Sequence, residues 1–208
     1  MYNIIKATFL AGMLAVSSNA SAIVADYDFS GTFANDNDIV LLDFSVDSES
    51  SITIFSSSWV TSADGYGFDP ILAIWDSAGN LVNQQDDGHN IGTTLSNGVS
   101  YSHGNWDSYF NVLLAAGDYT ASIAQYNNFA AGSNLADGFI HDANPNFTAG
   151  FGPADQFNGV DGTVRTGYWE FHILDVATAS QQNVPEPGIA VLLGLGLIGM
   201  GFRRRYNS

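Results

Sequence analysis

The sequence predicts an all-β protein, an antiparallel β-sandwich of jelly-roll type with about eight strands. Three observations predict it. Apolar and polar residues alternate with period two over several short segments, the pattern of a strand with one buried face. Gly, Asn and Asp pairs suited to tight turns separate them: Asp64-Gly65, Asp87-Gly88, Asn97-Gly98, Asp137-Gly138, Asn158-Gly159 and Asp161-Gly162. Between the two ends of the chain there is almost no helical periodicity.

Taken in order, Val24–Phe29 is the first expected strand. In the second, Val40, Leu42, Phe44 and Val46 alternate with Leu41, Asp43 and Ser45. Ile52 and Ile54 continue the alternation after the polar turn Asp47–Ser50, which predicts a hairpin. Ile71–Trp75 and Leu81–Asn83 read as strand, tight turn and strand. Tyr109–Leu114 and Tyr119–Gln125 follow, and Tyr168–Leu174 is the last. In that last strand Trp169, Phe171 and Ile173 should face inward, and Glu170 and His172 outward. Asn127 to Thr166 has no clear period. A structureless stretch of that length is uncommon in a compact domain, so it is either a functional loop or a set of short strands. Phe139, Phe147, Phe151 and Phe157 suggest that it packs down.

The ends read differently from the middle. Met1 to Lys6 is weakly positive, Ala7 to Val16 is apolar, and Ala20-Ser21-Ala22 is a small-x-small site. This predicts a secretory signal peptide over residues 1–22, cut after Ala22. At the other end Pro185, Glu186 and Pro187 precede an apolar run from Gly188 to Phe202, followed by Arg203, Arg204 and Arg205. As a helix the run would rise roughly 22 Å, which with flanking residues and tilt makes a marginal single transmembrane helix. The three arginines would stay cytoplasmic and everything upstream would lie outside. The domain division is therefore a signal peptide over 1–22, a secreted β-sandwich over 23–183 and a sorting segment over 184–208.

That tail resembles the PEP-CTERM sorting signal, with the motif at Pro185, Glu186 and Pro187 and the basic cluster at Arg203–Arg205. The resemblance implies processing by an exosortase-type membrane enzyme of a Gram-negative bacterium. It also implies transient anchoring by the C-terminal helix, then removal of the tail and release to the cell surface or extracellular matrix. A second resemblance covers Phe68–Gln125. Ile74-Trp75-Asp76-Ser77-Ala78-Gly79-Asn80-Leu81, Asp86-Asp87-Gly88 and Leu113-Leu114-Ala115-Ala116-Gly117-Asp118-Tyr119 resemble the bacterial pre-peptidase C-terminal domain. It implies a β-sandwich that aids surface or substrate attachment and sometimes carries calcium.

Composition narrows the function classes. The chain has no cysteine, which excludes disulfides and thiol chemistry. Twenty acids fall between the targeting segments, eighteen of them Asp, against Arg165 as the one Lys or Arg there. A surface of that sign excludes nucleic acid and anionic membranes as partners. Most of the aspartates are turn formers; Asp36, Asp38, Asp69, Asp76, Asp86 and Asp87 are candidate calcium ligands. Loop ends of a sandwich bring such residues together, and clustered carboxylates repel one another unless hydrated or bridged by a cation.

Other motifs carry less. Gly194-x-Gly196-x-x-Gly199 has the letters of a dinucleotide fingerprint but lacks the strand before it and the βαβ unit around it. Asp142-x-Asn144-x-Asn146 opens like a calcium loop, yet Phe147 and Pro153 stand where Gly and Glu are needed. His89, His103, His141 and His172 share no metal-ligand spacing, and no Gly-x-Ser-x-Gly elbow is present. Arg165 reads either as a salt bridge pinning the long loop or as a fork for a uronic acid, and Trp106 as the exposed aromatic of a sugar platform.

The expectation is a non-catalytic exported protein, structural or adhesive within extracellular polysaccharide. The alternative is a carbohydrate-binding module supported by Ca²⁺.

Overall fold

The computed structural model describes residues 23–59 and 67–182. The expected signal peptide, the sorting segment with its Pro185–Pro187 and Arg203–Arg205 motifs and its apolar run, Asp64-Gly65 and Tyr66 lie outside the described residues. Among the described residues no helix is long and apolar enough to cross a membrane.

Eleven strands form among the described residues: β1 (Ala25–Thr32), β2 (Val40–Val46), β3 (Ser50–Ser56), β4 (Pro70–Asp76), β5 (Leu81–Asp86) and β6 (Gly92–Ser96), then β7 (Val99–His103), β8 (Tyr109–Leu114), β9 (Gly117–Gln125), β10 (Tyr168–Val176) and β11 (Thr178–Gln181). One sheet runs β1-β10-β3-β8 and the other β11-β2-β9-β4-β5, with every pairing antiparallel. Apart from the edge strand β11, these are the two four-stranded sheets of a jelly roll. β6 and β7 form a separate hairpin between β5 and β8.

The period-two alternation sets which side chains meet between the sheets. Leu42, Phe44, Leu72, Ile74, Ala121 and Ile123 of one sheet close on Ile52, Ile54, Trp169, Phe171 and Ile173 of the other, in one core cluster. Each fully buried large side chain contributes roughly 1.5–3 kcal/mol. The outer face of the larger sheet carries a second core, where the long loop lays Phe139 over Ile71, Ala73 and Trp75.

Three expectations change. β2 and β3 do not pair as a hairpin; the Asp47–Ser50 turn carries the chain from one sheet to the other. Both strands need an apolar partner across the core, and crossing supplies one to each. The hairpin of β6 and β7 and the edge strand β11 add three strands to the eight read from alternation. Their exposed, polar residues carry little periodic signal, and the hairpin turns at Asn97-Gly98, whose φ angles are 48° and 79°. Finally, His172 faces away from the core but is fully buried, because the hairpin lays Tyr101 on its ring.

Residues 127–166 form a packed loop with two 3₁₀ turns, Leu135–Asp137 and Phe147–Gly150, rather than further strands. Asp36 pins this loop. Its buried carboxylate accepts from Thr148 N at 2.9 Å and Thr148 Oγ1 at 2.6 Å, and from Phe157 N at 2.6 Å. Replacing Asp36 with Ala strands those donors, and urea unfolding should show a loss of about 2–4 kcal/mol. Limited proteolysis should then cut near Gly150, where the wild type resists.

Candidate metal centre

Antiparallel pairing of β4 with β5 sets Ile71 opposite Asp86, so Asp69, just before β4, and Asp86-Asp87, at the close of β5, share one end of the sheet. Asp87 takes a left-handed conformation, φ 61°, that turns the chain sharply there. Gly88 then passes so close to β8 that a Cβ on it would lie 2.4 Å from Tyr109 N. That approach lets Gly88 N donate to Asp107 O at 3.0 Å. Ser108 Oγ ties the same turn back to Pro70 O at 2.7 Å and Gln85 O at 3.0 Å.

The result is a three-carboxylate group. Oxygens of Asp69, Asp86 and Asp87 all lie within 4.8 Å of one another. Each residue has a buried Oδ1 with no hydrogen-bond partner among the described residues. Burial, then repulsion from Asp86, Asp87 and Asp107, pushes Asp69 up to about 8, against the pull of Arg165. Burial and Asp87 push Asp86 up to about 6, and burial also raises Asp87.

These donors fit a hard divalent cation. Two oxygens on one calcium stand no more than about 5 Å apart, twice its ~2.4 Å bond, and carboxylates are its preferred ligands. Orphaned, buried, mutually repelling oxygens are also what a bound cation or a shared proton would relieve.

Asp107 joins this group to an aromatic cluster. Nearly fully buried, it accepts from Gly104 N at 2.8 Å, Ser56 Oγ at 3.0 Å and Trp59 N at 3.0 Å. Burial outweighs those bonds and lifts it to about 6. Trp59 leans on Trp106 with ring centroids 5.8 Å apart, and the Arg165 guanidinium lies 3.2 Å from the Trp59 ring centroid. Arg165 Nη2 also donates to Trp59 O at 3.1 Å. The two residues read from sequence as ligand-binding, Arg165 and Trp106, therefore meet on Trp59. Asp107's role left no sign in the sequence, since its partners are up to 51 positions away.

Among the six candidate calcium ligands the structure brings Asp69, Asp86 and Asp87 together and places the other three elsewhere. Asp36 holds the long loop. Asp38 Oδ2 caps Ala34 N and Asn35 N at 2.7 and 2.9 Å. Asp76 Oδ1 closes the β4–β5 turn on Ala78 N and Asn80 N at 2.9 and 2.8 Å.

A Ser-His-Asp geometry also exists. His172 Nδ1 lies 2.7 Å from Asp28 Oδ1, and its Nε2 lies 2.9 Å from Ser57 Oγ. A nucleophile needs a free hydroxyl and an approach. Ser57 is 1 % exposed and donates to Glu170 Oε2 at 2.7 Å, and the imidazole lies between Phe55 and Tyr101 at 4.3 and 4.1 Å. This is a buried network that fastens the hairpin onto the sheet. Burial holds His172 below the ordinary histidine value, against Asp28 and Glu170.

Linkage gives the metal group a testable sign. Asp69 titrates near 8 in the fold against 3.8 unfolded, so the metal-free fold holds a proton that the unfolded chain releases. Its contribution is complete below about pH 4 and is lost as pH rises toward 8. A calcium ion bound there would replace that proton, so millimolar Ca²⁺ should raise the melting temperature of the purified protein more at pH 8 than at pH 5. Asp69→Asn should remove most of this difference. An equal calcium effect at both pH values would detach the metal from this group.

No curated protein matches the chain. Residues 183–205 match the family model for the PEP-CTERM protein-sorting motif, at the segment with Pro185-Glu186-Pro187 and the terminal arginines. The resemblance of Phe68–Gln125 to the pre-peptidase C-terminal domain remains a likeness of short motifs. The all-β jelly roll thus belongs to an exported protein carrying a PEP-CTERM sorting signal, addressed to the cell surface or the extracellular space through exosortase processing.

Proposed function

We propose that this protein is a non-catalytic, calcium-binding surface protein, structural or adhesive within extracellular polysaccharide. The observation that carries the reading is the Asp69–Asp86–Asp87 group, with three buried oxygens that lack partners among the described residues. A cation there joins the start of β4 to the end of β5 and, through Asp107, steadies the Trp59–Trp106 pair. Calcium at extracellular concentrations suits such a module, whose affinities fall around 10⁻⁴–10⁻³ M. The buried Ser57 and His172 support a non-catalytic role. Before processing, the apolar run Gly188–Phe202 holds the protein transiently in the membrane.

Isothermal titration should show saturable Ca²⁺ binding with much weaker Mg²⁺ binding, lost in Asp69→Asn with Asp86→Asn. On cells, chelator should release the protein from the matrix. Matrix retention unchanged by chelator and by the double variant would refute the calcium role.

A carbohydrate-binding module is favoured by a separate observation, a groove of about 570 Å³ over the outer face of β11, β2 and β9. Ser45, Thr120, Thr178 and Ser180 line it with hydroxyls, and Asp43, Asp76 and Asp118 with carboxylates. Carboxylates there accept from neutral sugar hydroxyls and repel uronates, whereas the Arg165 and Trp106 cluster suits an acidic sugar. A glycan array should separate these: neutral glycans lost in Asp43→Ala, uronates lost in Trp106→Ala, or no saturable binding at all.

A further inference from the structure

β11 ties the sorting tail directly to the sandwich. Thr178 to Gln181 pair with Ser45 to Leu42 of β2, and the ladder extends one residue further, with Gln182 N donating to Leu41 O at 2.9 Å. Gln182 Nε2 also donates to Asp43 Oδ1 at 2.7 Å. Only Asn183 and Val184 separate this last backbone bond from Pro185 of the motif. Even fully extended, the Cα of Pro185 cannot lie more than about 11 Å from that of Gln182. An enzyme that reads a peptide as an extended strand needs backbone free on several consecutive residues. With β11 docked, the residues before the motif have their backbone engaged in the sheet.

β11 is also built to leave. It is a four-residue edge strand, mostly exposed, and it contributes just Ala179, partly buried, to the core. Its release uncovers the β2 edge without opening the two four-stranded sheets. Short, exposed edge elements occupy the low-stability end of local opening.

We propose that undocking of β11 from β2 gates the processing of the sorting tail, so that trimming proceeds through a state in which residues 177–182 are peeled from the sheet. This rests on the reading that the tail is processed at its motif.

The chain has no cysteine, which permits a clean test. Ser45 Oγ and Thr178 Oγ1 stand 2.6 Å apart across the β2–β11 pair, near disulfide spacing. In full-length protein expressed with its native sorting machinery, Ser45→Cys with Thr178→Cys should bridge and lock β11, and bridging is read by a reductant-sensitive gel shift. Locked protein should keep its full-length tail over the time in which wild type is fully trimmed, and reductant should restore trimming. A six-residue Gly/Ser insertion between Gln182 and Asn183 should restore it without reductant, by supplying the reach that β11 withholds. That rescue also excludes misfolding as the cause. Trimming of the locked protein at the wild-type rate, or failure of the insertion to rescue a bridged and folded protein, overturns the gate. Replacing Pro185, Glu186 and Pro187 with Ala tests the underlying reading separately: a tail still trimmed normally overturns motif-directed processing itself.

Discussion

Closure of two sheets over one apolar layer is the constraint from which the rest of this molecule follows. Phe171 and Ile173 on one side and Leu72, Ile74 and Ile123 on the other are fully buried. They come from strands far apart in sequence, so the core forms only if the chain crosses repeatedly between sheets. Those crossings put the turns, and with them Asp69, Asp76, Asp86 and Asp87, at the ends of strands. The acidic turns are thus held by a core in which no charge takes part.

At one end this has an electrostatic consequence. Like charges about 4 Å apart repel by on the order of 4 kcal/mol at an effective dielectric of 20. Three carboxylates with oxygens within 4.8 Å, each also holding a buried Oδ1 that has no donor among the described residues, cannot all carry bare charge without a comparable cost. A proton or a cation must offset it. The backbone holds them in place regardless: the β4–β5 register fixes Asp69 against Asp86, and Gly88 fixes the turn against β8. Arg165 moderates the field, but its guanidinium is committed to the face of Trp59. Arg165, the one Lys or Arg among the described residues, thus serves an aromatic cluster and an acidic cluster at once.

The hairpin of β6 and β7 shows how a polar cluster can be structural. His172, Asp28, Ser57 and Glu170 stand at distances that would suit catalysis, yet Tyr101 and Phe55 close both faces of the imidazole. Asn97 at the hairpin tip donates to Asp28 Oδ2 at 2.8 Å, so the network reaches from the sheet into the turn. Hydrogen bonding alone does not make a site; access decides.

The eight strands of the jelly roll were legible in the sequence because each buries one face, and burial writes itself as period-two alternation in Val40–Val46 or Trp169–Ile173. The sorting tail was legible for a related reason, since its proline motif, apolar run and arginines are contiguous and act through local chemistry. β6, β7 and β11 left little trace, because strands that pack on polar or exposed surface need no apolar period. The three aspartates were among six candidates, but choosing them required the β4–β5 register and the Gly88 approach to β8, which depend on contacts between distant segments. Composition and local pattern determined the fold class and the destination of this protein. Tertiary structure alone decided which carboxylates meet, which histidine is sealed, and that the chain pairs with β2 as far as Gln182, because each is a contact between residues that the linear order leaves free.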